Sequence, residues 1–330
     1  MTSQQRLFSS TSVSTRSAID NTPLDGPAGS ALLTGLDVHT VLAEDDGHPL
    51  AVYTIETNSD YRSDDYNYEP QHQMQPRERI PLLLLHGRTW SSVPVYHLIG
   101  GTNNSGEASS SDGGENRSLL QALYDTNHIQ PYAMDFRGFG GTIKDESGFI
   151  EPLRCVSDIV SVLNWIHDKH NNECSEGGRG HRPALLGWSH GALLAQITAQ
   201  RHPDTLSKLI LYGSIYNPNV KYSIPTEDMP HTGHTDHDDF PVHEMTSRNE
   251  YDGAMEDFTN VNDAEARIFP PISAKLFADV ALVSDPIKAQ WWNLHQLNEC
   301  HPSLVGVPTM VVSRNNCSFL IRSHFSFCVT

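Results

Sequence analysis

The stretch Pro183-Ala184-Leu185-Leu186-Gly187-Trp188-Ser189-His190-Gly191-Ala192-Leu193-Leu194-Ala195 restricts the possible folds more than any other part of the chain. An apolar run of strand character enters the pentapeptide Gly187–Gly191, and a run rich in small helix formers leaves it. A serine on so sharp a strand-to-helix turn takes a strained backbone conformation and projects its hydroxyl from the sheet. The positions two residues away on either side must then be small, because a side chain there would collide with the turn. Gly187 and Gly191 meet that demand. The helix after Ser189 aims its N-terminal amides and positive dipole end at the hydroxyl, and Ala192, Ala195 and Ala199 let it pack close to the strands.

The rest of the chain alternates in the same way. Residues 37–43 and 49–56, joined by a turn containing Asp45-Asp46-Gly47, read as an opening β-hairpin at one edge of a sheet. Ile80-Pro81-Leu82-Leu83-Leu84-Leu85-His86 is a nearly continuous apolar run, as expected of a central strand buried on both faces. A short helix is expected around residues 119–124 and a strand over 129–134. A helix then starts near Pro152 with Ile159, Leu163 and Ile166 as its apolar stripe. Residues 183–188, 191–201 and 206–212 continue as strand, helix and strand, and Val307–Val312 gives a last strand. Alternating β and α elements imply a doubly wound, mostly parallel sheet. Between residues 214 and 304 the alternation lapses, and helices over 272–282 and 285–297 suggest an inserted helical cap over the strand ends.

These boundaries divide the chain into a flexible N-terminal segment (1–36), an α/β core (37–213), the cap insertion (214–304), and a last core strand with an atypical tail (305–330). Residues 57–79 and 101–116 have no periodicity and read as surface insertions.

A second chemical signal is His86-Gly87-Arg88 at the end of the buried strand. Acyl transfer at a serine needs two backbone N–H donors for the developing oxyanion, one from this loop and one from the residue after the nucleophile. The donors expected here are the amides of Arg88 and His190. The His190 side chain is expected to leave the turn in a different direction from that of Ser189.

With these motifs the chain resembles the α/β-hydrolase superfamily, of the serine esterase, lipase and iminopeptidase type. The resemblance covers residues 37–312 and rests on Leu84-Leu85-His86-Gly87, on Asp135-Phe136-Arg137-Gly138-Phe139-Gly140 at the family's D-x-R-G-x-G turn, and on Gly187–Gly191. It implies the α/β-hydrolase fold, no cofactor, and Ser189 as the nucleophile in hydrolysis of a carboxylic ester or related acyl substrate through an acyl-enzyme. Epoxide hydrolases and haloalkane dehalogenases of this fold place Asp where this chain has Ser189.

The resemblance further implies a triad acid after the seventh strand and a histidine after an eighth. After Val312 this sequence reads Ser313-Arg314-Asn315-Asn316-Cys317-Ser318-Phe319-Leu320, and Glu299 is its last acidic residue. The only histidine beyond that strand is His324. The triad acid and base are therefore unassigned, and the chain reads as truncated after the seventh strand. A non-catalytic binding protein or inactive product is the alternative reading.

A net charge of −18, from 40 acidic against 22 basic residues, argues against nucleic acid and anionic membranes as partners and favours a small-molecule substrate. Much of the acid lies in residues 59–69 and 227–257, which read as solvated, poorly ordered loops. No apolar run reaches the ~18 residues of a membrane span. Residues 1–19 are rich in Ser and Thr, carry Arg6 and Arg16, and precede the first acid, Asp20. They fit either a mitochondrial or plastid targeting segment or the flexible tail of a cytoplasmic protein. Cys155, Cys174, Cys300, Cys317 and Cys328 are odd in number and form no C-x-x-C pair, against both a disulfide framework and structural zinc. His231, His234, His237 and His243 lie among aspartates but in no metal-ligand spacing, and a flexible acidic loop is expected there. Trp291, Trp292, Phe277 and Leu294 fit equally an apolar substrate pocket and cap helices packed on the core.

Overall fold

The computed structural model describes residues 24, 27–55, 79–99, 117–173, 182–224, 248–258 and 271–313. In chain order the strands are β1 (Leu36–Leu42), β2 (Pro49–Ile55), β3 (Ile80–Leu85), β4 (His97–Leu98), β5 (Arg117–Ser118), β6 (Ile129–Met134), β7 (Ala184–Trp188), β8 (Lys208–Tyr212) and β9 (Thr309–Val312). The helices are α1 (Pro27–Leu32), α2 (Ser92–Tyr96), α3 (Leu119–Asp125), α4 (Pro152–Glu173), α5 (His190–Arg201), α6 (Tyr251–Phe258) and α7 (Pro271–Ser284). Seven strands form one sheet in the order β1-β2-β6-β3-β7-β8-β9, and β4 pairs with β5 apart from it. β1 and β2 form the antiparallel hairpin at one edge, β2 runs antiparallel to β6, and the remaining pairs are parallel.

The apolar run of β3 follows from its place between β6 and β7. Leu83 and Leu85 face the layer made by α4 and α5, and Leu82 and Leu84 face the opposite layer, which contains α2, α3 and α7. Alternation along a strand sends neighbours to opposite faces, so a strand covered on both sides must be apolar at every position. Each such leucine contributes ~2 kcal/mol through burial. In α4 the stripe Ile159, Leu163 and Ile166 is fully buried, and Pro152 occupies the helix start, where a missing N–H costs nothing. In α3, the Ser118 hydroxyl caps the first turn by accepting the Gln121 N–H at 3.0 Å. β9 closes the described sheet at the other edge and leaves Met310, Val311 and Val312 exposed.

Two expectations for the segment between β8 and β9 need correction. No α-helix forms over 285–297. Asp285 terminates α7, Ile287 and Trp291 make single bridges to Arg248 and Ile150, and a 3-10 helix spans Leu294–Glu299. Pro286 disfavours helical geometry at the residue before it, and Asn293 takes a left-handed φ of 53°, so the helix cannot continue through either. Conversely, part of the acidic stretch expected to be poorly ordered forms α6, which packs on α7 and buries Ala254. Of the residues weighed between pocket and core, Trp291, Phe277 and Leu294 are buried in the two apolar clusters. Cys155 and Cys300 are buried free thiols. The histidines at 231, 234, 237 and 243, His324, and the sequence after Ser313 lie outside the described residues.

Candidate active site

Between β7 and α5, Ser189 takes φ 53° and ψ −115°. A side chain in that region strains the backbone by ~1–3 kcal/mol, and the surroundings must hold it there. The Ser189 N–H donates to the Tyr212 carbonyl at the end of β8 (3.0 Å), and its own carbonyl accepts the Ala192 N–H (3.1 Å). The two glycines are required by backbone contact. A Cβ on Gly187 would overlap the Gly191 carbonyl oxygen, and one on Gly191 would overlap that of His86 and lie 2.8 Å from that of Leu85. Ala192, Ala195 and Ala199 are fully buried along the packed face of α5.

The loop after β3 reaches the same place. A Cβ on Gly87 would stand 3.6 Å from Ser189 Cβ, so Gly87-Arg88 runs beside the serine. His86 fixes the start of this loop. Its Nε2 accepts the Phe136 N–H at 3.1 Å, so Nδ1 carries the proton and donates to the Gly87 carbonyl at 2.9 Å. The ring packs between Phe136 and Phe139, and burial pushes its pKa down to about 3. The Trp291 indole donates to the Arg88 carbonyl at 3.0 Å, and the Trp90 indole donates to Asp257 of α6 at 2.6 Å.

The amide of His190 lies in the first turn of α5, where no intrahelical acceptor exists. Its side chain is buried against Trp291, with ring centroids 4.4 Å apart and no partner for either nitrogen among the described residues. Burial, with smaller contributions from Arg88 and His86, lowers its pKa to about 3, so the ring is neutral. Among the described residues, no histidine or carboxylate hydrogen-bonds to Ser189 Oγ, and no three His, Cys, Asp or Glu side chains form a metal-ligating cluster. No helix among them is long and apolar enough to cross a membrane.

Sequence reasoning missed the groups that brace this loop. Asp135, fully buried at the end of β6, accepts the Tyr53 hydroxyl (2.6 Å) and the amides of Ser92 (2.7 Å) and Gly141 (2.9 Å). Asp285 accepts both the amide and the hydroxyl of Ser91 (2.8 and 2.7 Å) and the Gly140 amide (2.9 Å). Gly140 has φ 47°, and a Cβ there would overlap Asp135 Oδ2, so the turn can close only on glycine. Asp135 and Arg137 were visible as letters of the D-x-R-G-x-G pattern. Asp285 carried no local signal.

The sequence model of the alpha/beta hydrolase family matches residues 82–308, more than half of the chain. The chain belongs to the alpha/beta hydrolase family. No curated protein matches this hydrolase in sequence. Among solved structures, a Burkholderia cenocepacia protein described as an aryl esterase is 15% identical to it, with TM-score 0.42, covering 83% of this chain and 78% of that one. The thioesterase domain of the curacin biosynthetic pathway is 13% identical, with TM-score 0.40 and coverages of 84% and 82%. Epoxide hydrolase A from Mycobacterium thermoresistibile is 17% identical, with TM-score 0.34 and coverages of 57% and 41%. This hydrolase thus spans about two fifths of the length of the epoxide hydrolases from Mycobacterium and Vigna radiata that it matches.

The buried and half-buried ionisable groups of the core and the site predict how stability varies with pH. Burial holds His39 and His170 at about 4, and His86 and His190 at about 3, below the ordinary 6.5. As pH falls below 6.5 the unfolded chain takes up those protons first, so their contribution is present above 6.5 and lost as pH falls towards 3. Burial lifts Asp135 to about 6 and Asp285 to about 7, which acts in the opposite sense between pH 7 and 4. The four histidines outweigh the two carboxylates. The denaturant midpoint is therefore expected to be lower at pH 4.5 than at pH 7, and an unchanged or higher midpoint would contradict this balance.

Proposed function

We propose that this alpha/beta hydrolase is a serine hydrolase, with Ser189 attacking the carbonyl carbon of a carboxylic ester or related acyl substrate. The observation that carries this reading is the strained serine between two glycines that backbone contact makes obligatory, at the N-terminus of a buried helix and beside the loop after β3. As Oγ bonds to carbon, the carbonyl electron pair moves to oxygen, and the amides of Arg88 and His190 donate to that oxyanion. Collapse expels the alcohol and leaves an acyl-enzyme, which water hydrolyses to the acid and free serine. The base that takes the Oγ proton and the acid that protonates the leaving alcohol are assigned to no described residue. The segment between β8 and β9 serves in this reading as a cap, with Trp291 bracing the Arg88 carbonyl.

The second reading is a non-catalytic member of the family that binds a small ligand. It is favoured by the lack of a histidine or carboxylate on Ser189 Oγ among the described residues. Labelling with a fluorophosphonate probe separates the two, because an activated serine reacts far faster than an ordinary one. Wild-type protein is expected to label rapidly and Ser189→Ala not at all. Equal, negligible labelling of both would leave only the binding protein.

A further inference from the structure

Asp285 belongs to the segment inserted between β8 and β9, yet its carboxylate is spent entirely on loops of the core. It is 4% exposed. Its N–H continues α7 by donating to the Ala281 carbonyl (2.7 Å), and its carbonyl accepts the Asn249 side-chain amide (2.7 Å). Asn249 also donates its backbone N–H to the Pro286 carbonyl (3.1 Å), so the residue is held within the insertion on both sides. The carboxylate then crosses to the core, where Oδ2 takes both donors of Ser91 and Oδ1 takes the Gly140 amide.

The neighbouring amides, Ser92 and Gly141, go to Asp135. Two consecutive amides from the loop after β3 and two from the turn after β6 are thus divided, one each, between two buried carboxylates. Among the described residues, all hydrogen-bond partners of both carboxylates are amides and hydroxyls, and no cationic side chain holds either. A carboxyl group held only by loop donors fixes those donors in return, since amides left unpaired in a buried place cost free energy. Ser91 is three residues after Arg88.

We propose that Asp285 is a positioning residue that sets the conformation of residues 88–91, so that the oxyanion donor is in place only while the insertion is seated. The role of Arg88 in this statement rests on the serine-hydrolase reading. Asp257 on Trp90 and Trp291 on the Arg88 carbonyl are two further struts from the same insertion to the same loop. Displacing the insertion, with α6, α7 and the Trp291 segment after them, would therefore withdraw support from Arg88, Trp90 and Ser91 together.

The test combines amide hydrogen exchange with fluorophosphonate labelling over a range of probe concentrations. Asp285→Asn keeps the shape but presents one acceptor where two are needed. It is expected to speed exchange at Ser91 and Gly140 by about tenfold or more, leaving α4 unchanged. It should also lower the saturating labelling rate by about tenfold, with the half-saturating concentration unchanged, as expected for a lost oxyanion donor. Ser91→Ala removes only the hydroxyl and should give a smaller slowing of the same kind. This variant decides the matter if Asp285→Asn does not fold.

Exchange at Ser91 and Gly140 that is unchanged, or that rises only in step with the whole sheet, would overturn the proposal. So would an undiminished labelling rate in a folded variant. Failure of the wild type to label would instead remove the nucleophile reading, and the exchange data would still decide what Asp285 positions.

Discussion

Replacing Arg137 by methionine is expected to cost ~3–5 kcal/mol, the usual loss when one partner of a buried ion pair is removed and the other is left behind. The guanidinium is 2% exposed and makes two forks. Nε and Nη2 donate to Asp158 at 2.8 and 2.6 Å, and Nη1 and Nη2 donate to Asp46 at 2.6 and 3.0 Å. Asp46 sits in the β1–β2 turn, Asp158 on α4, and Arg137 itself in the turn after β6, so one side chain joins three elements. The hydrogen bonds from Arg137 hold the Asp46 carboxyl well below the usual carboxylate range.

Without the arginine, Asp158, fully buried and with no other donor among the described residues, must stay charged and unpaired or take up a proton. Arg137→Lys should fail nearly as badly, because a compact ammonium cannot serve two forks. Adding Asp158→Leu to Arg137→Met should recover part of the loss by removing the stranded charge. Guanidinium denaturation midpoints measure all three. A single-variant loss below about 0.5 kcal/mol would sink the argument, since that is the range of ordinary surface changes.

Gly191→Ala is expected to cost ~3 kcal/mol or more, at the upper end for overpacking, because the added methyl meets backbone on both sides. Its Cβ would overlap the His86 carbonyl oxygen while lying 2.8 Å from that of Leu85, so neither rotamer change nor side-chain repacking relieves it. The helix must instead move off β3, which separates Ser189 from the Gly87-Arg88 loop. Stability and fluorophosphonate labelling should therefore fall together. Gly253→Ala is the control: no atom lies within 4 Å of the added carbon, and in helix α6 the change should stabilise by ~0.5–1 kcal/mol. Equal midpoints for Gly191→Ala and wild type would show that the elbow tolerates bulk.

What was legible in the sequence is what depends on near neighbours. The both-faced burial of β3 is written in four consecutive leucines, the α4 stripe in the spacing of Ile159, Leu163 and Ile166, and the elbow in five residues. The hairpin turn at Asp45-Asp46-Gly47 was legible as a turn but not as one jaw of the Arg137 clamp, because the arginine it grips lies 91 positions further on. α6 was hidden by its composition: YDGAMEDF carries three acids and a glycine in eight residues, and the helix forms because α7 covers Ala254. Asp285 looked like the start of a helix rather than the end of one, since its role is decided by Ser91 and Gly140, 194 and 145 positions away.

The strand order also has a consequence during synthesis. β3 sits between β6 and β7, and roughly 100 residues separate its end from the first residue of β7. At a translation rate of about 5–20 residues per second, β3 is made about 5–20 s before its second neighbour exists. Through that interval a strand built to be covered on both faces has nothing to pair with on one side. Co-expression of a holdase chaperone is therefore expected to raise the yield in a heterologous host, by covering β3 through that interval.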